Sequence, residues 1–154
     1  MKERWLRIGV LAGVLFGINL IGRLVVRIGS IEDASGQQRV TLIAYAAVAV
    51  AMAVAAVLWA RQRPTGPVLA DLGAAVLVSG VLILTVGPFV SGTTPAQVGA
   101  GDSFNAAWQY VGFAAGGAFV GLLLLIAVGR DYTSRSLKQY AQSQLVKPPR
   151  AIRR

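Results

Sequence analysis

A chain of 154 residues that is 55% hydrophobic and only 14% charged, with a mean hydropathy of +0.63, carries more apolar surface than a soluble domain of this size can bury. It has no cysteine and no histidine. That removes disulfides, thiolate metal sites, covalent haem attachment and imidazole chemistry, so no cofactor is expected and a redox or zinc enzyme is disfavoured. The formal charge of +9 would suggest nucleic acid in a soluble protein, but the basic residues lie beside apolar runs, where anionic lipid headgroups are the nearer partner and no nucleic acid is expected.

The apolar runs define the expected fold: all-α, an integral membrane four-helix bundle over residues 1–130, both termini cytoplasmic, closed by a basic cytoplasmic tail over 131–154. The spans cover roughly 5–29, 40–60, 67–90 and 104–129, each about 20 residues or more, enough at a 1.5 Å rise to cross about 30 Å of hydrocarbon.

Span one follows Lys2, Arg4 and Arg7 and ends at Arg23 and Arg27 rather than at small residues of A-x-A type, so it is expected to remain as an uncleaved helix. Gly9, Gly13 and Gly17 recur every fourth residue and form a stripe where a neighbouring backbone can approach. Asn19, Arg23 and Arg27 fall on an adjoining stripe, and Val10, Val14, Ile18, Ile21 and Val25 take the other side. The first two stripes are expected to pack in protein and the third to meet lipid. An arginine at mid-span costs about 2.5–3.5 kcal/mol on insertion scales, and Arg23 lies a turn deeper than Arg27. Two readings stand: the pair snorkels and binds the loop acids Glu32, Asp33 and Asp102, or it lines an outer-leaflet cavity holding an anionic lipid headgroup or a partner's carboxylate. Asn19, near mid-membrane, is expected to bond a neighbouring helix.

Span two is mostly alanine and valine with Met52, and the short turn RQRPTGP makes spans two and three antiparallel neighbours. Span three carries Gly73, Gly80 and Gly87 on nearly one face, Ser79 and Thr85 able to bond their own backbone, and Gly87-Pro88 marking its exit. Asp71, a turn inside its cytoplasmic end, is the only acid within a span. It exchanges a proton, as a proton-coupled carrier needs, or pairs with Arg7, Arg61, Arg63 or Arg130, or favours the N-terminal end of its helix by the dipole.

The loop over 91–103 offers Asp102 or Ser103 as N-cap of span four. Span four repeats the small-residue spacing as Gly112 with Gly116 and Gly117 with Gly121, and close approach of spans one and four is expected. The tail adds Arg130, Arg135, Lys138, Lys147, Arg150, Arg153 and Arg154, expected to contact anionic lipid or a partner. With Lys2, Arg4, Arg7, Arg61 and Arg63 it puts most basic residues on one side, hence the cytoplasmic termini. Trp5, Trp59 and Tyr132 then mark the inner interface, with Tyr45, Trp108 and Tyr110 toward the outer one as an aromatic belt.

No matched set of acid, base, nucleophile or metal ligands accompanies these residues, so no enzyme is expected. The leading expectation is a non-catalytic accessory or assembly subunit in the plasma membrane, contacting lipids and other membrane subunits or copies of itself. The alternative is a small oligomeric transporter or channel using Asp71 or the Arg23 and Arg27 pair. The embedded glutamate in the first span of small four-span multidrug carriers is absent. The bias toward Ala, Val, Gly and Arg is that of a GC-rich bacterium.

Overall fold

The computed structural model describes residues 2–30, 33–94, 99–129, 136–137 and 140–142. Among them no strand occurs, and the chain runs through α1 (Lys2–Ile28), α2 (Ala34–Ala60), α3 (Thr65–Thr85), the single turn α4 (Gly87–Val90) and α5 (Ala100–Ala127). All but α4 are long and apolar enough to cross a membrane. The residues from Arg130 to Arg135, Lys138, Lys147, Arg150, Arg153 and Arg154, together with Glu32 and Tyr132, lie outside the described residues.

Each long helix exceeds its apolar run for a local reason. α2 begins six residues before the expected span because Asp33 caps it, accepting from the Gly36 N–H at 2.8 Å and from the Ser35 hydroxyl at 2.5 Å. Helix therefore continues through the polar turn of Gln37, Gln38 and Arg39. α5 begins at Ala100, capped by the extended Gly99 with no side-chain bond, so Asp102 and Ser103 sit inside the first turn instead of serving as N-cap. An acid there still complements the positive end of the helix dipole. The third span does not run unbroken to Val90: α3 stops at Thr85 and the chain restarts as α4, because Pro88 has no N–H to give Leu84 and its ring crowds that carbonyl. Gly92, at φ 81°, then turns the chain out in the left-handed conformation.

The core is built from small and branched side chains. Leu15, Val48, Met52, Ala56, Val68, Leu72, Ala75 and Ala114 are buried where the four long helices meet. Outside, Val10, Val14, Ile21 and Val25 on α1, Leu77 and Val81 on α3, and Phe119, Val120 and Leu124 on α5 are exposed. Such an aliphatic exterior over helices whose backbone bonds are internally satisfied has hydrocarbon as its matching solvent.

The helix pairing corrects the expectation that spans one and four pack together. α5 lies along α2, while α1 packs on α2 and α3. At Gly117 and Gly121 a methyl group would land on the backbones of Ala49 and Ala53, so those two glycines set the closest helix approach in the molecule's α2–α5 seam. Gly9, Gly13, Gly17, Gly112 and Gly116 have nothing within contact distance of such a methyl. The α1 glycine stripe therefore packs against no other part of the described chain. α1 instead buries Ile8, Leu11, Ala12, Leu15 and Asn19, a stripe of period 3.5 that turns the glycines outward.

The aromatic belt is also revised. Trp108 is 70% exposed and Trp5 68%, as interface anchors would be, but Tyr110 and Tyr45 are only 2% and 5% exposed. Their rings pack together at 6.5 Å between centroids, and Tyr45 also meets Phe113 at 5.5 Å. The Tyr110 hydroxyl is 2.5 Å from the Ser79 hydroxyl, which already reaches the Ala75 carbonyl at 2.8 Å. Ser79 has one proton to give, so with that proton on Ala75 it is Tyr110 that donates to Ser79, tying α5 to α3. Thr85 returns its hydroxyl to the Val81 carbonyl at 2.7 Å, as its position in a helix leads one to expect.

Candidate functional site

The charged groups collect at the two ends of the bundle, and the ends are solved differently. At the end shared by the start of α1 and the α2–α3 turn, Asp71 is 4% exposed. Its Oδ1 accepts from Arg4 Nε and faces Arg4 Nη2, both at 2.6 Å, while Arg63 Nη1 lies 3.6 Å from Oδ2. Two guanidinium groups thus neutralise one buried carboxylate. Arg63 was among the expected partners; Arg4 was not. Its signal is present in the sequence, since Arg4 stands one turn before Ile8 on the same stripe as Leu11 and Leu15. Arg7 lies beside this cluster with Trp59 and Val68.

At the opposite end, α1 passes beside the α3–α4 break. Arg23 donates from Nη1 to the Ser91 hydroxyl at 3.1 Å, and its guanidinium lies over Gly87, where a methyl would come within 3.0 Å of Cζ and Nε. Arg27 donates from Nη1 to the Val90 carbonyl at 2.8 Å, closing one of the open carbonyls at the end of α4. Among the described residues neither arginine forms an ion pair, and Asp33 and Asp102 are not brought to them. The break at Gly87-Pro88 is thus what the two arginines grip: the glycine admits the guanidinium plane and the broken helix supplies the acceptors.

Both arginines line a cavity of about 650 Å³ together with Asn19, Gly22 and Val26 of α1, Gln37, Thr41, Ala44 and Tyr45 of α2, and Ala106 of α5. Asn19 is the innermost of these along α1 and is 8% exposed. Its amide, expected to bond a neighbouring helix, instead has an Nδ2 with no hydrogen-bond acceptor among the described residues. Two other polar groups on the wall are engaged, Tyr45 donating to the Ala106 carbonyl at 3.3 Å and Thr41 to the Gln37 carbonyl at 2.9 Å. The stripe of Asn19, Arg23 and Arg27 read from the sequence is therefore brought to one wall, although the glycine stripe beside it is not.

Outside the spans, hydrogen bonds from the Ser35 hydroxyl and then the Gly36 N–H hold the Asp33 carboxyl below its ordinary pKa. Among the described residues no group of three or more His, Cys, Asp or Glu is placed to hold a metal ion.

A second, apolar groove of about 540 Å³ runs along α2 and α5, with Val50, Ala53, Trp108, Gly112, Gly116 and Val120 among its walls. In comparison with known proteins, the chain matches no family model, no curated protein and no solved structure.

Proposed function

We propose that this chain is a non-catalytic multi-pass membrane protein that serves as an accessory or assembly subunit, packing by its helix faces against other membrane subunits or copies of itself. One observation carries the reading. The same small-residue device closes the α2–α5 seam at Gly117 and Gly121 and is left open at Gly112 and Gly116, on the wall of an apolar groove. Lipid tails are as apolar as leucine, so helices in a membrane gain from association chiefly where small residues let backbones meet. An open face of this kind on α5, and another at Gly9, Gly13 and Gly17 on α1, suits a partner helix.

We place both termini and the basic tail in the cytoplasm of a bacterial plasma membrane, on the strength of the arginine and lysine bias. There the tail residues Arg130, Arg135, Lys138, Lys147, Arg150, Arg153 and Arg154 meet anionic lipid or a cytoplasmic segment of the partner. The carrier alternative draws less support from the geometry, because Asp71, its candidate proton site, is held between Arg4 and Arg63.

The test is copurification of tagged protein from native membranes in mild detergent, comparing wild type with Gly116→Leu. The reading expects a stoichiometric membrane partner or a defined homo-oligomer, lost in Gly116→Leu while the variant keeps its helical circular dichroism and thermal transition. A monodisperse monomer without partners from native membrane would overturn it.

A further inference from the structure

The cavity at the Arg23 end is walled by hydrogen-bond donors that the chain itself leaves under-used. Arg23 has five N–H donors and gives one to Ser91, and Arg27 gives one to Val90. Asn19 Nδ2, buried at the inner end, gives none among the described residues. Among the described residues no Asp or Glu is on the cavity wall, so the charge of two guanidinium groups faces the space without a counter-anion from them. A buried donor without an acceptor and paired cations without an anion are each costly in a medium of low dielectric, and a single oxyanion relieves both. The opposite end of the bundle shows what the chain does when the counter-ion is its own: Asp71 is enclosed by Arg4 and Arg63.

The shape narrows the occupant. The space is far larger than a bare oxyanion needs, and Gly22, Val26, Ala44 and Ala106 make part of its wall apolar. Arg23 and Arg27 stand one helical turn apart, with Asn19 one turn further in, so the donors form a ladder from the end of the span toward its middle. An amphiphile whose charged head enters between Arg23 and Arg27, and whose uncharged part extends along the apolar wall, satisfies both halves. Planar guanidinium groups bind phosphate oxygens in bidentate fashion, which favours a phosphate head.

We propose that this cavity is a binding site for the phosphate headgroup of an anionic glycerophospholipid, with Arg23 and Arg27 binding the phosphate and Asn19 Nδ2 donating to an oxygen at the inner end. The site stands apart from the glycine faces assigned to subunit packing, so it holds or fails independently of them.

The experiment uses the purified full chain, delipidated in mild detergent, with native mass spectrometry and thermal unfolding after addition of phosphatidylglycerol, phosphatidylcholine or inorganic phosphate. Wild type is expected to retain a single phosphatidylglycerol about tenfold more strongly than phosphatidylcholine and to be stabilised by it. Arg23→Gln is expected to abolish that preference. Because Arg23 also bonds Ser91, its variant is paired with Asn19→Leu, which breaks no bond within the described chain. In lipid-free detergent Asn19→Leu is expected to unfold no earlier than wild type, yet to lose several-fold in phosphatidylglycerol retention. Inorganic phosphate is expected to neither displace the lipid nor stabilise the protein. If it does both, and the effect vanishes in Arg23→Gln, the site takes a free oxyanion and the lipid assignment falls. Equal retention of the two lipids, or a preference unchanged in both variants, overturns the proposal outright.

Discussion

The two ends of the bundle bury charge in opposite ways. Around Asp71 the carboxylate is enclosed and both arginines come from the chain ends and turns, Arg4 remaining 53% exposed. Around Arg23 it is a cation that is half-buried in the bundle, with Arg27 exposed a turn further out, and their acceptors are neutral: a hydroxyl and a carbonyl released by the α3–α4 break. An ion pair supplied wholly by the chain is a fixed part of the fold, whereas cations satisfied by neutral groups keep capacity for an anion from outside. That contrast separates a structural cluster from a candidate site more sharply than residue type does, since each end is an arginine pair.

The largest expected effect breaks the closed end. Replacing both Arg4 and Arg63 with leucine leaves Asp71 buried and unpaired, and thermal or denaturant unfolding in detergent should register a loss of about 3–5 kcal/mol. Adding Asp71→Leu to that double variant should restore most of the loss, because no lone charge then remains. A double variant as stable as wild type would show that water reaches Asp71 and would erase the contrast.

At the open end the same measurement should give a smaller number. Ser91→Ala removes the hydroxyl that Arg23 holds and should cost about 0.5–1.5 kcal/mol in lipid-free detergent. Gly87→Ala should cost less than about 1 kcal/mol, since the group it meets is the far end of the flexible Arg23 side chain, but it should move the guanidinium and weaken phosphatidylglycerol retention. A Gly87→Ala variant with unaltered lipid retention would mean that the placement of the guanidinium over the helix break is immaterial.

The smallest effect concerns pH and lies just beyond the open end, at the Asp33 cap. Because its folded-state pKa lies below the ordinary value of about 3.9, the contribution of this cap is fully present above that value and is lost as pH falls through the lower folded-state pKa. Comparing wild type with Asp33→Asn from neutral pH to about pH 2 should show a slightly higher transition temperature in wild type, with the gap closing only below about pH 4. A constant gap across that range would detach the effect from ionisation.

Much of this architecture is legible residue by residue. Four helices long and apolar enough to cross a membrane follow from apolar run length, because that is a condition each segment meets by itself. The collection of Asn19, Arg23 and Arg27 on one wall follows from helical spacing, and the outward aliphatic residues Val10, Val14, Ile21 and Val25 do too, whereas Ile18, expected among them, is half-buried against the core. The glycines show where that reading stops. Gly112 with Gly116 and Gly117 with Gly121 have the same spacing on the same helix, yet one pair admits the backbone of α2 and the other faces outward. Spacing says that a backbone can approach; it does not say from which side.

What the amino-acid order determined alone was therefore the all-helical fold class and the four helices long and apolar enough to cross a membrane, since these depend on composition and period within a single helix. Tertiary structure decided which glycine pair is filled, that Arg4 joins Arg63 on Asp71, that α5 chooses α2, and that Asn19 Nδ2 ends without an acceptor among the described residues. Those outcomes depend on how each helix is rotated about its axis. That rotation is fixed by contacts between segments far apart in sequence, with the 3.5-residue stripe of Ile8, Leu11, Leu15 and Asn19 outweighing the glycine stripe beside it.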